Sequence, residues 1–234
     1  RNSVRSYFLL QQLAAAYTRE LATRIEYADD KGILHPTSAA VANGAFRRSQ
    51  LKVSYGNGLV VFVNGHPRDA WKPEDVLLPP NGWSARSADG KLVTHSALFD
   101  GARADYVDSP AYIYHDGRGR LVRFAKALCD EALIAQMCPG GAMELIPIGN
   151  PRTLAVSMEG SAAKAQAFDK AGVELGSAET RLSRGLVHVM PVDGAFRYLL
   201  IPQKAPALAL SSERSTIVAG ETLRVTGGKL TSFH

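Results

Sequence analysis

Residues 51–65 read LKVSYGNGLVVFVNG, two apolar runs divided by Gly-Asn-Gly and closed by Asn-Gly. Asparagine and glycine supply the positive φ angles that a tight hairpin needs, so the stretch commits the chain to two paired strands. In the first run Leu51, Val53 and Tyr55 alternate with Lys52 and Ser54, the period of a half-buried strand. The second run, Leu59 through Val63, has no polar face at all. Such a strand must be covered on both sides, which places it inside a sandwich or between a sheet and a second layer.

The same texture continues downstream. Strands are expected at 83–86, 92–99 and 106–114, punctuated by Pro79-Pro80-Asn81-Gly82, Asp89-Gly90 and Asp116-Gly117-Arg118-Gly119. Leu121, Phe124, Ala125, Leu128, Ala132 and Leu133 fall at helical spacing, but the turns on either side suit a pair of strands, and strands are expected there. From Leu154 four further strands follow, with turns at Lys170-Ala171-Gly172 and Asp193-Gly194. One segment reads as a helix: Val4, Phe8, Leu9, Leu13, Tyr17, Leu21 and Ile25 repeat with helical period over 3–25, behind a Ser3 cap. The expected fold class is mainly β, one or more antiparallel β-sandwiches with one N-terminal α-helix. The expected division is a helix in 1–30, a β-sandwich in 31–150, further strands or a small β-module in 151–205, and the start of another module in 206–234.

Composition bounds the function. At 234 residues with 46% hydrophobic content the chain has ample core for one large domain or two small ones. The net charge of +5 comes from scattered Lys and Arg, a solvated surface rather than a nucleic-acid footprint. No apolar run approaches the roughly 20 residues of a membrane span. Cys129 and Cys138 fit either a reduced protein or one secreted bridge. The six histidines are dispersed with no ligand spacing, and no nucleophile elbow or phosphate loop occurs. No cofactor is expected, and calcium at Asp29-Asp30 or in the Asp-rich loops is the one ion left open.

Three motifs carry a resemblance. YFLLQQLAAAY in 7–17 looks like the last helix of a (β/α)8 barrel, and LKVSYGNGLVVFVNG looks like the first hairpin of the sandwich that follows such barrels. SERSTIVAGETLRV, in 212–225, is similar to the opening of bacterial immunoglobulin-like modules. Together the chain resembles the C-terminal region of a multidomain glycoside hydrolase. The resemblance implies a secreted or cell-surface location, an upstream catalytic domain as partner, and polysaccharide or oligosaccharide as ligand. It carries over no catalytic residue, because those would stand on barrel strands outside this sequence; the opening Arg1 in place of Met suits an excised piece.

The densest polar stretch, THSALFDGARADYVDSP followed by HDGRG, offers candidate chemistry. The first reading is structural, with Asp100-Gly101 and Asp116-Gly117 as hairpin turns and Asp105 paired with Arg103. A carbohydrate or ion site is the second. Trp71, Trp83 and Tyr106 offer ring faces for sugar C–H surfaces, Tyr112 and Tyr114 share one face, and Asp108 and Arg118 offer hydroxyl partners. The third is a stand-alone glycan-processing enzyme with Asp105 and Asp116 as paired acid and base. A structural or adhesive module without ligand completes the alternatives.

Overall fold

The computed structural model of the chain describes residues 2–158 and 162–203. It opens with helix α1 (Asn2–Tyr17), strands β1 (Ala22–Ala28) and β2 (Leu34–Pro36), and a short helix α2 (Thr37–Asn43). An antiparallel meander follows: β3 (Gln50–Tyr55), β4 (Val60–Asn64), β5 (Gly82–Arg86), β6 (Val93–Phe99), β7 (Ala102–Asp108) and β8 (Tyr112–Asp116). Then come β9 (Val122–Arg123), β10 (Ala127–Cys129), β11 (Ala132–Met137), β12 (Met143–Ile148) and β13 (Leu154–Val156). The described part closes with β14 (Ala162–Phe168), β15 (Glu174–Ala178), β16 (Thr180–Ser183), β17 (Leu186–Val189) and β18 (Arg197–Gln203). The protein is mainly β and antiparallel, with its longer helix at the N-terminus.

Thirteen strands form one sheet in the order β15-β14-β18-β12-β11-β8-β7-β6-β5-β4-β3-β1-β2, and five form a second, β16-β17-β13-β10-β9. Side chains alternate across the large sheet, so each face has its own core. On one face Leu9 and Leu13 of α1 press onto Leu59, Val107, Tyr112 and Tyr114. On the other, the five-stranded sheet covers the middle and C-terminal strands through Val122, Phe124, Leu133, Leu145, Val187 and Tyr198. Further along that face Trp71 and Leu78, from the 66–81 segment, cover Phe62 and Ala97. The strand without a polar face is thereby explained: Val61 lies under α1, and Phe62 lies under Trp71.

Polar contacts fix α1 to the sheet. The Tyr112 hydroxyl donates to the Phe8 carbonyl, Thr94 Oγ1 to the Leu9 carbonyl, and Asn57 Nδ2 to the Ala16 carbonyl at 2.8 Å. Asn57 is the central residue of the hairpin turn, so one side chain shapes the β3–β4 hairpin and satisfies an orphan carbonyl near the end of the helix. Burying Leu9 and Leu13 contributes about 1.5–3 kcal/mol each.

Several expectations are corrected. The helix ends at Tyr17, and Ile25 belongs to β1, where the β-branched pair Thr23 and Ile25 fits a pleated strand better than a helix. The 37–43 helix was not anticipated; it is seven residues long and stops at Gly44, whose φ of 82° is the left-handed end cap. The strand expected over 106–114 is two strands turned at Ser109-Pro110, with Ser109 Oγ donating to the Tyr112 carbonyl. The ambiguous 121–133 segment is strand, as its flanking turns implied. β14, β15 and β18 extend the large sheet through the β12–β18 pairing. The immunoglobulin-like motif of 206–234 lies outside the described residues.

Candidate functional site

The β6–β7–β8 register sets the polar cluster. Ser96 stands opposite Asp105, and Asp105 stands opposite Asp116. Directly opposed residues place their Cβ atoms about 5 Å apart, so the two carboxylates are neighbours on the face that α1 covers. Both are buried, Asp105 at 0% exposure and Asp116 at 1%. Arg118 closes over them: its Nε donates to Asp105 Oδ2 at 2.9 Å and its Nη2 to Oδ1 at 3.1 Å, a bidentate pair. Ser96 Oγ donates to the same carboxylate. Asp116 Oδ1 accepts the Arg118 backbone N–H at 2.8 Å, which holds the turn that aims the guanidinium.

The expected Asp105–Arg103 pair is corrected. Arg103 Nε donates instead to Ser96 Oγ at 2.8 Å, and its Nη2 to the Asn81 carbonyl at 2.6 Å. Burial, then the neighbouring Arg118 charge, push Arg103 below the ordinary guanidinium range. Burial, then the charges of Asp116 and Asp105, push the Tyr114 hydroxyl up. The cluster is a buried, interlocked charge network. A general acid or base needs a free lone pair or proton facing a substrate cavity. Asp105 has its oxygens engaged by Ser96 and Arg118 and no exposed surface.

The proposed stacking rings are separated. Trp71 belongs to the core under the 66–81 segment, 7% exposed and edge-on to Phe62. Trp83 packs on the α1 face. Tyr106 is 3% exposed between the two sheets, stacked on Phe124 at 4.4 Å between centroids. Three rings in three cores make no common platform for a sugar. Tyr112 and Tyr114 do share a face, the one that Phe8 of α1 occupies.

Like Tyr112, Asp108 reaches a cavity. Its carboxylate pairs with Lys126 Nζ at 2.9 Å, beside a cavity of about 320 Å³ at the edge of the sandwich. Ser109, Ser157 and the side chains of Met137, Met143 and Met158 are also in the lining. Flexible thioethers with one ion pair suit a small ligand with an apolar body and a polar end. Ser109 Oγ is committed to the Tyr112 backbone on both its donor and acceptor sides, so the cavity presents no activated nucleophile there. Sequence reading missed Lys126 and the methionines, because a cavity formed by strands distant in sequence has no local signature.

Asp29 closes its own turn, accepting the Lys31 and Ile33 N–H groups at 2.9 Å and pairing with His35. Among the described residues no group of His, Cys, Asp and Glu has the arrangement of a metal site. No helix there is long and apolar enough to cross a membrane. Cys129 and Cys138 are both free thiols. The chain matches no protein-family model, no curated protein and no solved structure.

Proposed function

We propose that this region is a noncatalytic accessory β-module of a carbohydrate-active hydrolase, supporting a catalytic domain and contacting glycan. The observation that carries the reading is the commitment of Asp105 to Arg118 and Ser96 at zero exposure. Asp105, opposite Asp116, acts as a structural bolt between strands and turn. The outward side of α1 supports a neighbouring domain: Val4, Tyr7 and Leu10 are exposed there, and the helix has a single charged residue, Arg5. Exposed apolar side chains grouped on one helix face suit a packed interface better than open water.

The test is to incubate the chain with soluble and insoluble polysaccharides, measuring reducing ends released and protein retained. Retention without turnover is the expected result. Turnover abolished by Asp105→Asn or Asp116→Asn overturns the proposal.

A further inference from the structure

β16 and β17 are joined by Arg184-Gly185, with φ of 49° and 76°. These are the two left-handed positions of a two-residue hairpin turn, which ordinarily take Asn, Asp or Gly. An arginine there costs on the order of 1 kcal/mol through its Cβ. Arg118 stands in the same backbone region, φ 56°, and its side chain turns inward to hold Asp105. Arg184 is exposed, and its guanidinium has no carboxylate partner among the described residues. The strained position therefore presents a cation to solvent.

Two more arginines share that side. Val122 points into the core, so Arg123 points out by alternation, and its Nη2 donates to the Arg184 carbonyl at 2.7 Å. Residues 61 apart in sequence thus stand side by side. Arg181 faces His188 across β16–β17, and because Val187 and Val189 point inward, both lie on the outer face. A groove of about 350 Å³ runs there between Arg181, His188, Ser183, Met190 and Glu179. Neither Arg123 nor Arg181 has an ion-pair partner among the described residues, and Glu179 is the one acid lining the groove.

We propose that the outer face of the five-stranded sheet binds an acidic polysaccharide, whose carboxylate or sulfate groups are held by Arg123, Arg181 and Arg184. This rests on the glycan-contacting reading above and adds the charge of the glycan. Planar guanidinium groups match carboxylate and sulfate geometry in pairs; Arg181 lines the groove while Arg123 and Arg184 stand side by side on the same sheet, and such spaced cations suit a repeating anion. Among the described residues no Phe, Tyr or Trp lines the groove, so they offer none of the stacking that would favour a single-stranded nucleic acid.

The test measures binding of the whole chain to polygalacturonate, dextran sulfate and neutral dextran, beside a triple variant Arg123→Gln, Arg181→Gln, Arg184→Asn. Asparagine suits the left-handed turn, so the melting temperature serves as the folding control. The expected result is binding to the two polyanions and not to dextran, about tenfold weaker in the variant and about tenfold weaker from 50 to 200 mM salt. An unchanged affinity in the folded variant, no binding to either polyanion, or tighter binding of single-stranded DNA at equal salt overturns the proposal. Retention on neutral glycan alone overturns this assignment and leaves the accessory reading standing. Asp105-dependent turnover overturns the accessory reading instead.

Discussion

Two histidines lie between the sheets, and their burial predicts how the protein responds to mild acid. His95 is 7% exposed and set among Phe99, Tyr106 and Phe124, with ring centroids at 5.0, 5.6 and 5.4 Å. His115 is fully buried on the same face, edge-on to Phe124, with Nε2 donating to the Cys129 carbonyl at 2.9 Å. Among the described residues His95 Nε2 and His115 Nδ1 have no hydrogen-bond partner, so neither ring is positioned to share a second proton. Burial pushes both from 6.5 down to about 4, and for His115 the Cys129 carbonyl and the Asp116 charge oppose it only in part. The folded protein holds both neutral, while the unfolded chain takes up protons below pH 6.5. Stability is therefore full above 6.5 and falls as pH drops toward 4, by about 1.4 kcal/mol per pH unit for each ring. Between pH 7 and pH 5 each histidine removes about 2 kcal/mol, together about 4 kcal/mol and a fall in melting temperature of roughly 10 °C. Calorimetry at pH 7, 6 and 5 reads the effect. His95→Phe, which keeps the aromatic contacts without a titrating group, should recover about half of the loss. A melting temperature that is flat from pH 7 to 5, or a pH dependence that His95→Phe leaves unchanged, refutes the reasoning.

Other perturbations follow from named contacts. Leu13→Ala removes a side chain 5% exposed under α1 and should cost about 2–5 kcal/mol in urea unfolding, showing that the helix is part of this fold's core. Asn64 is fully buried and its Nδ2 lies 2.9 Å from the Asp69 and Leu78 carbonyls, while its Oδ1 accepts from Gln50. Asn64→Leu should cost about 2–4 kcal/mol and speed amide exchange selectively in the 66–81 segment. Burial pushes the Cys129 thiol up to about 12, so a thiol reagent should modify Cys138 in the native protein and reach Cys129 on unfolding.

The turns made much of this fold legible. Gly-Asn-Gly, Asp100-Gly101 and Asp116-Gly117-Arg118-Gly119 each mark a strand reversal, and at Gly58, Asp100-Gly101 and Arg118-Gly119 the backbone is left-handed, a conformation few residues accept. Periodicity alone misled at 18–28, where Tyr17, Leu21 and Ile25 continue the helical spacing although the chain has turned into β1. There tertiary pairing with β3 overrides a coincidental repeat. At the polar cluster the residues were visible and their partners were not. Arg103 and Arg118 are equally plausible partners for Asp105 in sequence, and the choice follows from the β7–β8 register and the left-handed turn at Arg118. The aromatic candidates scattered for the same reason: strand alternation and sheet order, neither of which is local, sent Trp71, Trp83 and Tyr106 to three cores.

The central claim is that Asp105 is a structural anchor rather than a catalytic acid, and urea unfolding of Asp105→Asn tests it most directly. The substitution preserves shape but leaves Arg118 and Arg103 beside an uncharged amide, and breaking a buried pair from one side costs about 3–5 kcal/mol. The account predicts a loss of that size. An Asp105→Asn protein as stable as the parent, within about 0.5 kcal/mol, would contradict it.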